Sequence, residues 1–153
     1  MGRKILICGG AGFIGSNYVH YIVEKYPNDK IYILDKLTYA GNIANHQKLL
    51  EESKLIFIKG DIADQKFVSD LFEEEKFDIV VNFAAETHVD RSIIDPGIFI
   101  QTNIVGTRNL LMAAREIKIK RYHQVSTDEV YGDLGDGSTN FFMENTPIAP
   151  NAL

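Results

Sequence analysis

Ile5-Leu6-Ile7-Cys8-Gly9-Gly10-Ala11-Gly12-Phe13-Ile14-Gly15 is the stretch on which the reading of this chain turns. An apolar run of strand length enters a glycine-rich turn, and Ile14, Tyr18 and Ile22 then recur at helix spacing. Two glycine spacings coexist, Gly10-x-Gly12-x-x-Gly15 and Gly9-x-x-Gly12-x-x-Gly15. Glycine permits the tight turn, lets backbone approach a diphosphate, and lets the helix pack close to the strand. The start of the helix then offers free N–H groups and partial positive charge to phosphate. Asp35 closes the next apolar run, about 20 positions beyond Gly15, where an acid binds the adenosine ribose hydroxyls. Strand, glycine turn, helix and distant acid together predict a Rossmann-type dinucleotide site. Asp35 repels a 2′-phosphate, which favours NAD over NADP; Lys36 beside it is the residue that could hold one.

Outward from this loop, short apolar runs alternate with longer helical patterns. The runs are Ile5–Cys8, Ile31–Leu34, Leu55–Ile58, Ile79–Phe83 and Tyr122–Val125. They are nearly continuous, which suits parallel strands covered on both faces. Phe67, Val68, Leu71 and Phe72 form one helix face after the third run. The longest predicted helix follows Asp95-Pro96, a capping acid and a proline at the first helical position, and its apolar face includes Phe99, Ile100, Ile104, Leu110 and Leu111. The β-α repetition predicts an α/β fold with a doubly wound parallel sheet and right-handed crossovers. Gly132 to Asn140, rich in Gly and Asp, reads as a mobile loop.

The 153 residues suffice for one domain with its own core, and 45% hydrophobic with 24% charged residues is an ordinary globular balance. A net charge of −5 argues against a nucleic-acid partner, which needs a basic surface. It leaves room for a small phosphate-bearing ligand. The single cysteine, Cys8, excludes an intrachain disulfide and sits in an apolar run as inert core. No apolar stretch approaches the roughly 20 residues of a membrane span. The N-terminus enters a strand pattern without a signal-peptide core, so a cytoplasmic location is expected.

Ligands of such sheets bind outside the carboxyl ends of the strands. After the third run, Asp61 could accept from an adenine amino group with Ile62 packed on the ring, or be a plain turn acid. After the fourth, Ala84-Ala85 permits close backbone approach and Thr87 offers a hydroxyl. His88 has no partner at metal-ligand spacing, so no metal is expected. Asp90 and Arg91 read as a local ion pair. After the fifth, Thr127-Asp128-Glu129 sets two carboxylates side by side. Desolvation and repulsion could separate their pKa values into one acid and one base; a solvated acidic turn is the other reading.

These segments resemble the extended short-chain dehydrogenase/reductase family, in its branch of nucleotide-sugar dehydratases. The matching stretches are Gly9–Gly15, Asp35–Asn42, Asp61-Ile62, Ala84–Ser92, Thr102–Thr107 and Ser126–Gly132. The glycine loop is widespread in the family; the Asp35–Asn42 and Ala84–Ser92 runs and the Thr127-Asp128-Glu129 triplet are far more specific. The resemblance implies dehydration of dTDP-glucose to its 4-keto-6-deoxy sugar, with NAD moving hydride from C4 to C6. It implies Asp128 as the acid for the C6 hydroxyl, Glu129 as the base for the C5 proton, and Thr127 on the C4 oxygen. It implies NAD contacts at Phe13, Ile14, Asp35, Lys36, Leu37, Thr38, Asp61, Ile62, Phe83, Ala84, Ala85, Glu86, Thr87 and Thr102, around the loop glycines Gly9, Gly12 and Gly15. Thr87 and Thr127 also map onto substrate contacts.

In one respect the chain departs from the family pattern. The family's catalytic Tyr-x-x-x-Lys helix, expected after the fifth strand, has no counterpart in context. Tyr21/Lys25, Tyr26/Lys30 and Tyr32/Lys36 match the spacing by coincidence. Residues 1–153 are therefore expected to be an NAD-binding domain cut before that helix, lacking the C-terminal substrate-binding part and inactive alone. The family implies a homodimer for the full-length enzyme. Two alternatives stand beside the dehydratase: an epimerase or decarboxylase of the same family, and a nucleotide-binding module without chemistry.

Overall fold

Side-chain alternation inside the apolar runs sorts each strand's residues to two faces. Ile5 and Ile7 of β1 (Lys4–Cys8) join Ile31 and Ile33 of β2 (Lys30–Asp35) in one buried cluster, with Val19 and Ile22 of α1 (Phe13–Lys25) and Leu49 of α2 (Gln47–Glu51). Leu6, Cys8, Tyr32 and Leu34 point the other way. They pack with Val68 and Phe72 of α3 (Gln65–Glu75) and Leu110, Ala113 and Ala114 of α6 (Thr107–Glu116). Each fully buried aliphatic or aromatic side chain contributes about 1.5–3 kcal/mol to the folded state. This computed structural model describes residues 2–135 and 139–150.

With β3 (Leu55–Lys59), β4 (Ile79–Asn82) and β5 (Arg121–Gln124), the strands form one parallel sheet in the order β3-β2-β1-β4-β5. The doubly wound expectation holds. The chain winds outward from β1 to β3, then returns to place β4 on the other side of β1. The crevice at that reversal opens beyond the carboxyl ends of β1 and β4.

Four expectations are corrected. Both faces are covered only at β1, β2 and β4; on the outer strands Ile56 of β3 is 38% exposed and most of β5 faces solvent. After α4 (Val89–Ile94), the helix beyond Asp95 runs in three pieces: α5 (Pro96–Phe99), a π-helical turn over Ile100–Gly106, then α6. Wider i→i+5 hydrogen bonding in that turn rotates the helix phase. Leu110 is therefore buried as expected, while Ile100, Ile104 and Leu111 face outward. Asp95 makes no side-chain cap. Ile14, in the first turn of α1, is likewise exposed. Residues 136–138 of the expected Gly132–Asn140 loop lie outside the described residues, as do 151–153.

At the amino ends of the strands an ionic lattice ties the sheet together. Arg3 donates to Asp29 from its backbone and its guanidinium. Lys4 Nζ reaches Glu75, and its N–H donates to Asp78, which also pairs with Lys120. The Arg3 guanidinium holds Asp29 below the usual carboxylate range, the Tyr32 hydroxyl and Lys4 hold Glu75 below it, and Lys120 with the Lys4 N–H holds Asp78 below it. Folded values below unfolded ones mean that this stability is present above the ordinary carboxylate range. It is lost as pH falls through about 4 and on toward the lowered values. Urea unfolding midpoints should therefore drop between pH 6 and pH 3, and Asp78→Asn should shrink that drop. An unchanged midpoint would discount the lattice.

Candidate functional site

The glycine loop fits because a Cβ would meet backbone at its tightest points. Gly9 has φ +72, and a Cβ there would stand 2.5 Å from the Ala84 nitrogen. At Gly15 it would stand 2.2 Å from the Gly9 oxygen. Gly9 N–H donates to the Leu34 oxygen at 2.8 Å, and Gly12 N–H donates to the Gly9 oxygen at 3.2 Å. The first intrahelical bond of α1 runs from Ser16 N–H to the Gly12 oxygen. Helix geometry thus leaves the N–H groups of Phe13, Ile14 and Gly15 without intrahelical acceptors, which is the donor set an anion requires.

Asp35 stands at the end of β2 beside this loop. Its Oδ2 accepts from Ala11 N–H at 3.0 Å and its Oδ1 from Leu37 N–H at 2.8 Å. The second bond holds Leu37 at φ 56, the left-handed region that a branched side chain rarely adopts. Lys36 pairs with Asp61 at 2.5 Å. Asp61 Oδ1 also accepts from Ala63 N–H at 2.9 Å. The cation that could have held a 2′-phosphate is thus engaged by a neighbouring acid.

A cavity of about 110 Å³ lies between these parts. Of the predicted contacts, Gly9, Gly12, Asp35, Lys36, Thr38, Asp61, Ile62, Phe83, Ala84, Ala85, Glu86 and Thr102 line it, joined by Leu34, Ala40, Gly41 and Gly60. Phe13, Ile14, Gly15, Leu37 and Thr87 do not line it; the first three form the start of α1. A larger groove of about 790 Å³, lined by His20, Lys48 and Lys54 among others, includes β2's first residue Lys30 and lies away from this cleft.

Asparagines missed as individual site residues shape the cleft walls. Asn82 Oδ1 accepts from Ala84 N–H while its Nδ2 donates to Gln124. Asn103 exchanges two hydrogen bonds with the backbone of Glu86. Both residues lie within or beside the quoted runs, but nothing in their spacing announces a role. The expected Asp90–Arg91 ion pair is absent among the described residues. Arg91 instead lies over the Tyr39 ring, 4.1 Å from its centroid, and the Tyr39 hydroxyl reaches Glu86 at 3.4 Å. A flat guanidinium on an aromatic face sheds less hydration than in a close carboxylate pair.

Thr127 caps a short 3₁₀ turn over Asp128–Tyr131 at the end of β5. Its Oγ1 accepts from Glu129 N–H at 3.4 Å and donates to Asp128 at 3.3 Å. Thr127, Asp128 and Glu129 are all exposed at the carboxyl edge of the sheet. Cys8 is fully buried, and burial pushes its thiol pKa up, as expected of inert core. Among the described residues, no cluster of three metal-ligating side chains occurs and no helix is long and apolar enough to cross a membrane.

The family profile for GDP-mannose 4,6 dehydratase matches residues 6–152. The chain belongs to that family. It is 49% identical over 156 aligned positions to a dTDP-glucose 4,6-dehydratase of Xanthomonas campestris pv. campestris, covering 96% of this chain and 43% of the relative. A crystal structure of dTDP-glucose 4,6-dehydratase from Bacillus anthracis in complex with NAD superposes with TM-score 0.85 at 42% identity, covering 99% of this chain and 45% of that one. A UDP-Glc/GlcNAc 4-epimerase from Campylobacter jejuni superposes equally well, TM-score 0.85, at 34% identity, covering 97% and 44%. This family member thus spans less than half the length of the relatives it matches.

Proposed function

We propose that residues 1–153 form the NAD-binding domain of an enzyme that dehydrates dTDP-glucose to the 4-keto-6-deoxy sugar. The observation that carries this is a juxtaposition. A cleft lined by the glycine loop and Asp35 opens at the carboxyl edge of the sheet, and Thr127-Asp128-Glu129 stands at that same edge one strand beyond β4. The glycine positions, the free N–H groups of α1 and the Asp35 carboxylate fit a diphosphate and a ribose. The engaged Lys36 favours NAD over NADP.

The glycine loop, the start of α1 and Asp35 would hold NAD, which would supply a reversible hydride acceptor for the sugar. The chain's own groups handle protons and positioning. Thr127 orients the C4 oxygen, with Thr87 as a second substrate contact. Glu129 takes the C5 proton, acidified by the adjacent ketone, and Asp128 protonates the departing C6 hydroxyl. Elimination needs both a proton acceptor and a proton donor at one site, and adjacent carboxylates provide them. The family resemblance assigns the base for C4 oxidation to a tyrosine in a Tyr-x-x-x-Lys helix. The three such spacings here lie on α1, in the loop at Pro27 and within β2, so the 153 residues alone should give no turnover. We further place the enzyme in the cytoplasm as a homodimer without a nucleic-acid partner.

The test is a product assay on the polypeptide extended to its relatives' length, with dTDP-glucose and NAD. The 4-keto-6-deoxy sugar is expected, seen by its absorbance in alkali. The similarity to the epimerase supports a second reading. Turnover of a UDP-sugar epimer, with no keto product from dTDP-glucose, would select it.

A further inference from the structure

Behind the glycine loop lies a histidine that no motif contains. Asn42 N–H donates to the Ala11 oxygen at 3.0 Å, and the 3₁₀ turn that follows, Ile43–His46, carries the His46 ring under the loop. The ring is fully buried, and its Nε2 lies 2.8 Å from the Gly10 carbonyl oxygen. A carbonyl oxygen can only accept, so Nε2 carries the hydrogen and donates it. Nδ1 is then a bare lone pair, and it has no hydrogen-bond partner.

The bonded atoms form a pattern. The Gly10 carbonyl and the Ala11 N–H belong to one peptide unit. His46 holds its carbonyl edge and Asp35 Oδ2 holds its N–H edge at 3.0 Å. The next peptide unit is held the same way, by Asn42 N–H on the Ala11 oxygen and by the Gly9 oxygen on Gly12 N–H. Two successive peptide planes fixed on both edges cannot rotate independently. The N–H groups of Phe13 and Ile14 that follow are aimed by them.

We infer that His46 is a positioning residue for dinucleotide binding, holding the Gly10–Ala11 peptide so that the start of α1 and Asp35 meet diphosphate and ribose together. The inference rests on the reading of the cleft as an NAD site. It also gives binding a pH dependence. Protonation would place a second N–H on Nδ1, where nothing accepts it, and burial holds the ring below its ordinary value near 6.5. The titratable groups facing it are His20 of α1, stacked at 5.4 Å, which opposes its charge, and Asp35 at the end of β2, which favours it. States with an opened loop therefore take up a proton that the closed loop refuses. The closed loop is fully favoured above about pH 6.5 and loses ground as pH falls below it.

Two substitutions test this in the full-length protein, with the NAD dissociation constant measured by calorimetry from pH 5.5 to 8. His46→Leu keeps bulk and removes the donor; His46→Gln keeps an N–H at the corresponding reach and does not titrate. His46→Leu should weaken NAD about tenfold at pH 7.5, the size of one lost hydrogen bond. His46→Gln should stay within about threefold of wild type there and flatten the weakening that wild type shows below pH 6.5. Wild-type affinity in His46→Leu, or an unaltered pH profile in His46→Gln, overturns the inference. If His46→Leu does not fold, the His46→Gln profile alone decides. Should wild type bind no NAD at any pH, the cleft reading itself falls and the inference with it, an outcome distinct from either variant's failure.

Discussion

With Asp128→Asn and Glu129→Gln combined in the full-length protein, NAD should bind as in wild type while formation of the keto product falls by at least about 10³-fold. Each general acid or base is worth about 10²- to 10⁴-fold in rate, and the two act in one elimination. The amide replacements preserve size and most hydrogen-bonding geometry, but neither can release or take a proton at neutral pH. Both carboxylates are exposed, and the turn is capped by Thr127 and not by them, so the folded state should change by less than about 0.5 kcal/mol. The effect should therefore fall on turnover, with melting temperature and NAD affinity unmoved. Glu129→Gln alone should also stop solvent deuterium entering at C5, since that exchange needs only the base. Undiminished product formation in the double variant would remove both residues from the mechanism.

Gly15→Ala should unfold the loop that an ordinary helix position would strengthen. In a helix interior the change from glycine to alanine is worth about 1 kcal/mol in favour of alanine. Here the new Cβ would lie 2.2 Å from the Gly9 oxygen and 3.0 Å from Gly10 Cα. The loop has nowhere to retreat, because Gly9 already lies against the backbone of Ala84, and its oxygen is held by Gly12 N–H. Overpacking against backbone that cannot yield costs about 3 kcal/mol, the upper end of its usual range, and the helix gain offsets about 1 kcal/mol of it. A net loss near 2 kcal/mol corresponds to roughly 30-fold weaker NAD binding if the loop must open to relieve the clash. A raised melting temperature with unchanged NAD affinity would show that the loop yields easily.

The readable parts of the sequence were those with a local physical signature. Glycine at positions 9 and 15 and the acid at 35 announce a cradle because their chemistry demands those residue types at those spacings. The apolar runs of β1 and β2 are legible because both faces must be buried. The phase of the helix beyond Pro96 was not, because a π turn leaves no mark in hydrophobic spacing; Ile104 and Leu111 look like core and face outward. Arg91 next to Asp90 suggested a pair along the chain, whereas its partner, Tyr39, is brought to it by the fold. Adjacency at Asp128-Glu129 could be read directly, but exposure could not. His46 was invisible for the same reason as the Asp78 lattice: its partner, Gly10, is distant in sequence, and a single histidine carries no pattern.

The lone thiol, that of Cys8, wedged at the centre of the sheet under α3 and α6, makes the polypeptide its own chronometer. No thiol reagent can reach it until β1 parts from those covering helices. The rate of labelling thus counts excursions of the central layer, separately from any loosening of the loops where ligand sits.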